Sequence, residues 1–376
     1  MIDRVKFKNT QVSRLGLGTM RLPCTDGKKF ESSDAIDFEK ASKIVDTAIE
    51  NGINYFDTAY MYHEGKSENF IGKALKKYPR ESFFLADKLP IWMCDTPEDM
   101  ERVFNDQLEK CGVEYFDFYL LHALDGENYD KCERFKAYEF ISRKRDEGKI
   151  RNIGFSFHGT TEDLRRIVGE HHWDFAQIQM NYLDWKIQSA DEQYRILTDS
   201  GIPVIVMEPV RGGKLAMPGK ETEELLKNAK PDKSIASWAI SFVASYKNVL
   251  TILSGMNSLE QLYDNIENLT DFKPFTDDEF EICRQAASLI NKQELIGCTG
   301  CDYCSDCPQG VKISSMFSIY NRYKSCDISW NEAMAQYKNI DVGYDSCISC
   351  GKCKGHCPQS IDIPNLLNGV IKDFFK

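Results

Sequence analysis

Eight short apolar runs recur along the first 254 residues, separated by longer stretches with helical periodicity. They are RLGLGT (14–19), NYFD (54–57), FFLADK (83–88), FDFYLLH (116–122), RNIGFS (151–156), FAQIQM (175–180), PVIVME (203–208) and VLTILS (249–254). Most are continuous in hydrophobicity, as strands covered on both faces must be. Amphipathic segments lie at 39–51, 67–77, 96–111, 130–147, 161–169, 190–200, 234–246 and 258–268. Eight strand–helix pairs over about 250 residues specify a parallel (β/α)8 barrel, an α/β architecture. Ahead of it, residues 5–14 read as a hairpin turning at Asn9-Thr10, and a further helix is expected over 276–292.

Beyond that helix the composition changes. Cys298, Cys301, Cys304 and Cys307 form C-x2-C-x2-C-x2-C-P, and Cys347, Cys350, Cys353 and Cys357 form C-x2-C-x2-C-x3-C-P. CPQGVKI at 307–313 and CPQSIDIP at 357–364 extend the match, so the segment is an internal duplication. Thiolates at this spacing hold iron–sulfur clusters, with structural zinc as the alternative. The boundary is placed so that residues 1–294 form the barrel and 295–376 the iron–sulfur domain, with helices over 313–324 and 330–338. The other six cysteines are scattered and read as small hydrophobes, and Cys326 has no ligand partner near in sequence.

A net charge of −11 argues against nucleic acid as the main partner. No stretch approaches eighteen apolar residues, and the N-terminus lacks a signal-peptide core. No membrane partner is therefore expected, and the cytoplasm is the expected compartment, which suits reduced thiols.

Barrels of this class carry their chemistry at the C-terminal ends of the strands. Asp57 ends the second apolar run and Tyr62 follows in its loop, Lys88 ends the third, and His122 ends the fourth. The segments FDTAYMYHEGKSE, LADKLP and LLHALD, together with GFSFHG, QIQMNY, EPVRGGKL and SGMNSLEQLYDN, resemble the aldo-keto reductases over residues 1 to about 290. The whole chain resembles the branch of that family fused to a C-terminal ferredoxin-type 4Fe-4S domain. The resemblance implies that Tyr62 is the general acid, that Lys88, held by Asp57, favours its phenolate, and that His122 orients the substrate oxygen. Tyr60 is the nearest rival to Tyr62, and His63 reads as a pocket-wall or surface residue.

It also implies a nicotinamide site. Ser156 and Gln179 would bond the carboxamide, with Tyr182 or Trp185 stacked on the ring. Arg211 and Gly212 would meet the pyrophosphate, and Ser254, Gly255 and Asn265 the adenosine end. The pair of cations that often clamps a 2′-phosphate is replaced by SGMNS and Gln261, so NADH is expected to bind at least as well as NADPH. Loops 20–38, 90–95, 123–130 and 183–189 would shape the pocket, and Trp92 and Trp185 hint at an apolar or ring-shaped substrate.

The cysteine region resembles two-cluster ferredoxins of the helical type, which implies two [4Fe–4S] clusters, each taking the fourth cysteine of the other run. The short Cys304–Cys307 spacing is its departure from that pattern. The expected activity is carbonyl reduction or alcohol oxidation with NAD(P)H, coupled to a redox partner that is a flavoprotein or ferredoxin. Two alternatives stand beside it: a flavin-bearing electron-transfer enzyme with FMN in the barrel, and a redox-sensing nucleotide-binding protein.

Overall fold

A computed structural model of the chain describes residues 2–25, 35–293, 295–325 and 327–376, so part of the loop over 20–38 and Cys326 lie outside the described residues. Strands β1 (Arg4–Phe7) and β2 (Thr10–Ser13) pair antiparallel with Phe7 opposite Thr10. The turn is therefore Lys8-Asn9, one residue earlier than expected, and Lys8 takes φ of 50° to make it. Eight parallel strands follow: β3 (Leu15–Gly18), β4 (Tyr55–Asp57), β5 (Phe84–Leu89), β6 (Phe116–Leu124), β7 (Ile150–Phe157), β8 (Phe175–Gln179), β9 (Val204–Met207) and β10 (Val249–Ser254). They close in the order β10-β3-β4-β5-β6-β7-β8-β9.

The barrel is filled by Tyr55, Ala86, Phe118, Leu120, Phe175, Ile205, Leu250 and Leu253, with Phe7 and Val12 of the hairpin packed into the same cluster. Several of these residues stand at or near strand starts, so the hairpin plugs that end. The strand C-termini are left to carry polar side chains.

The helices follow local signals. Helix α1 spans Phe38–Glu50 and α2 spans Ser67–Leu75. Helix α3 (Pro97–Cys111) starts with a Thr96–Asp99 capping box and Pro97, and stops at Gly112 in the left-handed conformation. The segment expected as one helix over 130–147 is two, Gly126–Phe135 and Ala137–Asp146, because Lys136 at φ 55° breaks the register. Helix Lys220–Ala229 is an addition that the apolar pattern does not announce.

The chain divides into two compact units. One comprises Met1–Pro209 and Ala239–Phe275 and holds all ten strands. The other comprises Val210–Trp238 and Thr276–Lys376. In this second unit, helix Ile313–Lys324 buries Met316, Phe317 and Tyr320 in a core shared with Ile328, Ala333, Leu367, Ile371 and Phe375. Tyr337 stacks on Phe375 with ring centroids 3.9 Å apart. Asn321 grips Ile296 from both sides, its amide oxygen accepting from Ile296 N and its amide nitrogen donating to Ile296 O, each at 2.8 Å. The backbone two residues before Cys298 is thereby fixed.

Candidate active site

Lys88 is the centre of the polar cluster at the strand ends. Its side chain is 0% exposed, and its ammonium donates to Asp57 Oδ1 at 2.7 Å, to the Thr58 carbonyl at 2.6 Å and to Tyr62 Oη at 3.4 Å. Asp57 and Lys88 come from adjacent strands, β4 and β5, which places their side chains side by side. Asp57 Oδ2 is buried and accepts no hydrogen bond from the described residues. Burial raises the Asp57 carboxyl from its usual range, and the Lys88 ammonium opposes that rise.

Tyr62 is 9% exposed and sits edge-on to His122, ring centroids 6.4 Å apart. Trp92 packs against His122 with ring centroids 4.9 Å apart. Burial holds His122 well below its ordinary pKa, with Lys88 and His158 adding to the effect, so the imidazole is neutral at pH 7. Burial also raises the Tyr62 phenol well above 10, followed by the charges of Asp57, Glu208 and Asp87. The Lys88 ammonium stands beside the hydroxyl, while burial of the anion favours the protonated phenol in the resting site. Tyr60 is not part of this cluster: its ring lies under Lys110 Nζ at 4.1 Å. His63 is buried, accepts from Leu22 N at 3.2 Å and has Cys24 Sγ 3.9 Å from its Nδ1, so it supports the first loop and is not a surface residue.

Other site residues are bonded to the protein's own groups. Ser156 Oγ accepts from Ala123 N at 2.7 Å. Ala123 has φ of 51°, a strained conformation for a residue with a Cβ, directly after His122. Gln179 donates to Asp184 Oδ2 at 2.7 Å, and Asn181 donates to the same oxygen at 2.6 Å. Asn265 donates to Ser254 Oγ at 3.1 Å. Tyr182 and Trp185 both pack on Phe242, and Trp185 also on Tyr246 at 4.6 Å.

Two charged residues escaped the sequence reading. Arg21 Nη2 donates to Glu208 Oε1 at 2.7 Å, and the stem of Arg21 lies over Gly255. The pair joins the loop after β3 to the end of β9. Glu208, the last residue of the seventh apolar run, was the available signal: a carboxylate at a strand end, held at φ 54°.

Arg211 and Gly212 belong to the second unit. Gly212 has φ of 64°, and a Cβ there would lie 2.3 Å from the Thr299 carbonyl oxygen, between Cys298 and Cys301. The need for glycine is thus met by contact with the first cysteine run. Lys214 donates to Ser325 Oγ at 2.6 Å, and burial lowers its pKa.

The eight cysteines fall into two sets. Cys304 shares its electrostatic surroundings with Cys298, Cys301 and Cys357. Cys353 does so with Cys347, Cys350 and Cys307. The latter four line a small pocket with Pro308, Ile348 and Leu367 among its walls. Four soft thiol donors around an apolar-walled space have the ligand chemistry that a [4Fe–4S] cluster takes, and the second set shows that arrangement. Because Cys307 faces the other set, the short Cys304–Cys307 spacing does not have to close around one cluster.

Comparison with known proteins matches the chain to two families in succession. The Aldo/keto reductase family model matches residues 14–288, and the 4Fe-4S dicluster domain model matches residues 297–362. A probable aldo-keto reductase from Glycine max is 26% identical over 229 residues, spanning 58% of this chain and 62% of that protein. The NADH-specific methylglyoxal reductase of Escherichia coli (strain K12) is 25% identical over 312 residues, spanning 69% of this chain and 90% of the enzyme. An aldo-keto reductase from Bacillus halodurans in its holo form has the same fold, with a TM-score of 0.61 at 24% identity over 77% of this chain and 96% of its own.

Proposed function

The chain belongs to the aldo/keto reductase family and carries a 4Fe-4S dicluster domain, and from that premise we propose that it reduces a small carbonyl compound, or oxidises the corresponding alcohol, with NAD(P)H. We further propose that two [4Fe–4S] clusters exchange electrons with a redox partner protein. The observation that carries the reading is the convergence of Asp57, Tyr62, Lys88 and His122 in one buried cluster.

When bound, the nicotinamide supplies or takes up hydride, and the clusters pass single electrons. The chain's own residues do the rest. Tyr62 Oη donates its proton to the carbonyl oxygen, as its protonated resting state suits. Lys88, anchored by Asp57 and the Thr58 carbonyl, places positive charge beside the phenolate that this leaves. His122, neutral and walled by Trp92, donates a hydrogen bond to the same oxygen and fixes its position. Ser156 and Gln179 would hold the carboxamide, and Ser254, Gly255 and Asn265 the adenosine end. Arg211 and Gly212 remain candidates for the pyrophosphate. One cluster would sit on Cys298, Cys301, Cys304 and Cys357, the other on Cys347, Cys350, Cys353 and Cys307. The E. coli relative's NADH specificity agrees with the missing 2′-phosphate clamp. No helix among the described residues is long and apolar enough to cross a membrane, and we assign the cytoplasm as the site of action.

The test uses anaerobically purified protein and a panel of small aldehydes and dicarbonyls. Wild type should oxidise NADH with at least one of them. Tyr62→Phe should bind the nucleotide normally and react at least about 10²-fold more slowly. Equal rates would remove Tyr62 from its role. A flavin spectrum with no nicotinamide-linked turnover would transfer the reading to the FMN alternative. Iron should reach about eight atoms per chain, and a constant value near four would leave one cluster.

A further inference from the structure

Asp87 occupies a position where a barrel strand is normally apolar. Along β5, Ala86 and Lys88 face the interior, so Asp87 points outward into the helix layer. Its register partner on β6 is Tyr119. Glu68 of α2 and Gln107 and Cys111 of α3 meet it there. Asp87, Glu68, Gln107 and Tyr119 are all 0% exposed. The two helices cannot separate to admit water cheaply: a Cβ on Gly72 would lie 2.4 Å from the Cys111 carbonyl oxygen, so they are in backbone contact.

The acceptors in this pocket outnumber the donors. Asp87 Oδ1 accepts from Lys88 N at 2.8 Å, and Oδ2 faces Cys111 Sγ at 3.9 Å. Neither carboxylate oxygen of Glu68 accepts a well-aligned hydrogen bond from the described residues, although the Gln107 amide and the Lys110 ammonium stand close enough to favour its charged form. Lys110 Nζ stands 3.4 Å from Glu68 but holds Asp106 at 2.7 Å. The two carboxyl groups are within hydrogen-bonding reach of each other. Two buried anions in that arrangement repel strongly, whereas a single proton converts the repulsion into a short O–H···O bond. Burial raises both carboxyls. The charge of Glu68 raises Asp87 further, while Lys110 opposes the rise at Glu68. Lys88, Cys111, Tyr119 and Lys110 are the other ionisable groups facing the pair.

We propose that Asp87 and Glu68 hold one proton between them in the folded protein, and that this pair is a positioning device for Lys88. The second half rests on the role given to Lys88 above; the first does not. The Lys88 peptide is gripped at both ends. Its N–H donates to Asp87 Oδ1, and its carbonyl accepts from Gln107 Nε2 at 2.9 Å, whose Oε1 accepts from Tyr119 Oη at 2.5 Å. Protonated Asp87 keeps Oδ1 for Lys88 and donates a hydrogen bond from its other oxygen to Glu68. It also spares the tetrad a second negative charge, since Asp87 is one of the groups that raise Tyr62.

Infrared difference spectroscopy on cluster-loaded, full-length protein at pH 7 tests the proton. Wild type should show a protonated-carboxyl carbonyl band that shifts in D2O and is absent from both Asp87→Asn and Glu68→Gln. Identical carboxyl regions in wild type and either folded variant would overturn the proposal. Two variants are used so that the failure of one to fold does not decide the matter. Kinetics test the positioning. Asp87→Leu should lower kcat about 10²-fold with KM within about two-fold, and Asp87→Asn, which keeps an acceptor for Lys88 N and a donor for Glu68, should recover most of it. Equal losses in the two variants, or a loss confined to KM, would overturn that role. A band present in a wild type that reduces no carbonyl would sink the proposed activity while leaving the shared proton standing.

Discussion

Lys88 and Asp57 form an ion pair 2.7 Å long in which the lysine side chain is 0% exposed and the carboxylate 4%. Such a pair is costly to desolvate, so its worth lies in the geometry it fixes more than in net stability. Breaking it is another matter. Asp57→Asn leaves a buried ammonium without a counter-charge and should destabilise the protein by about 3–5 kcal/mol. Asp57→Leu combined with Lys88→Met should cost less than either single change, because no charge is stranded. Thermal unfolding of wild type, Asp57→Asn, the two single changes and the double variant checks this, and a double variant less stable than both singles would refute it.

The phenol of Tyr62 is held well above its ordinary pKa, chiefly by burial. The acid form therefore persists through neutral and mildly alkaline pH. Carbonyl reduction should show no fall attributable to Tyr62 between about pH 7 and 9. A pH–rate profile in that window, compared between wild type and Tyr62→Phe, checks it. A basic limb near pH 8 seen in wild type alone would show that bound ligands lower the phenol far more than the free site suggests.

Gly212 and Gly213 both have positive φ, 64° and 91°, but only Gly212 faces backbone at close range. Gly213→Ala should cost backbone strain of about 1–2 kcal/mol. Gly212→Ala must in addition push Thr299 away, which displaces the first cysteine run. Iron retained after anaerobic desalting should fall in Gly212→Ala and stay near the wild-type value in Gly213→Ala. The same retention in both would disprove the contact.

His158 is half-buried, and burial pushes its pKa down to about 4 from 6.5. His122 shifts in the same direction. The unfolded chain therefore binds more protons than the folded one between these values, and stability rises with pH across the window. The contribution is fully present above pH 6.5 and is lost as pH falls towards 4. For His158 alone it amounts to about 3 kcal/mol. Urea midpoints at pH 7 and pH 5 measure it, and His158→Gln should flatten the slope. An unchanged slope would place the titration elsewhere.

Clusters pass one electron at a time, whereas hydride carries two, and a flavin bridges the two modes where a nicotinamide does not. Dithionite-reduced protein, freed of excess reductant, should fail to form NADH or NADPH until a flavin or flavoprotein is added. Stoichiometric nicotinamide reduction without flavin, as fast as turnover, would contradict the proposed partner.

The barrel and the cysteine runs were legible in the chain because their signals are local. VLTILS at 249–254 and the helix over 313–324 appear in the structure with the same limits, since periodicity records which face of an element is covered. Asp57, Lys88 and His122 were visible for a related reason: each is a polar residue where an apolar run stops. Periodicity does not record what covers a face. FFLADK shows an acid inside a buried strand, yet nothing near it in sequence names Glu68, Gln107 or Tyr119 as its neighbours. Arg21 and Glu208 are 187 positions apart, and Gly212 meets Thr299 only because two loops fold together. The resting protonation of Tyr62 is decided on the same ground, because the desolvation that raises its phenol exists only once the site is enclosed.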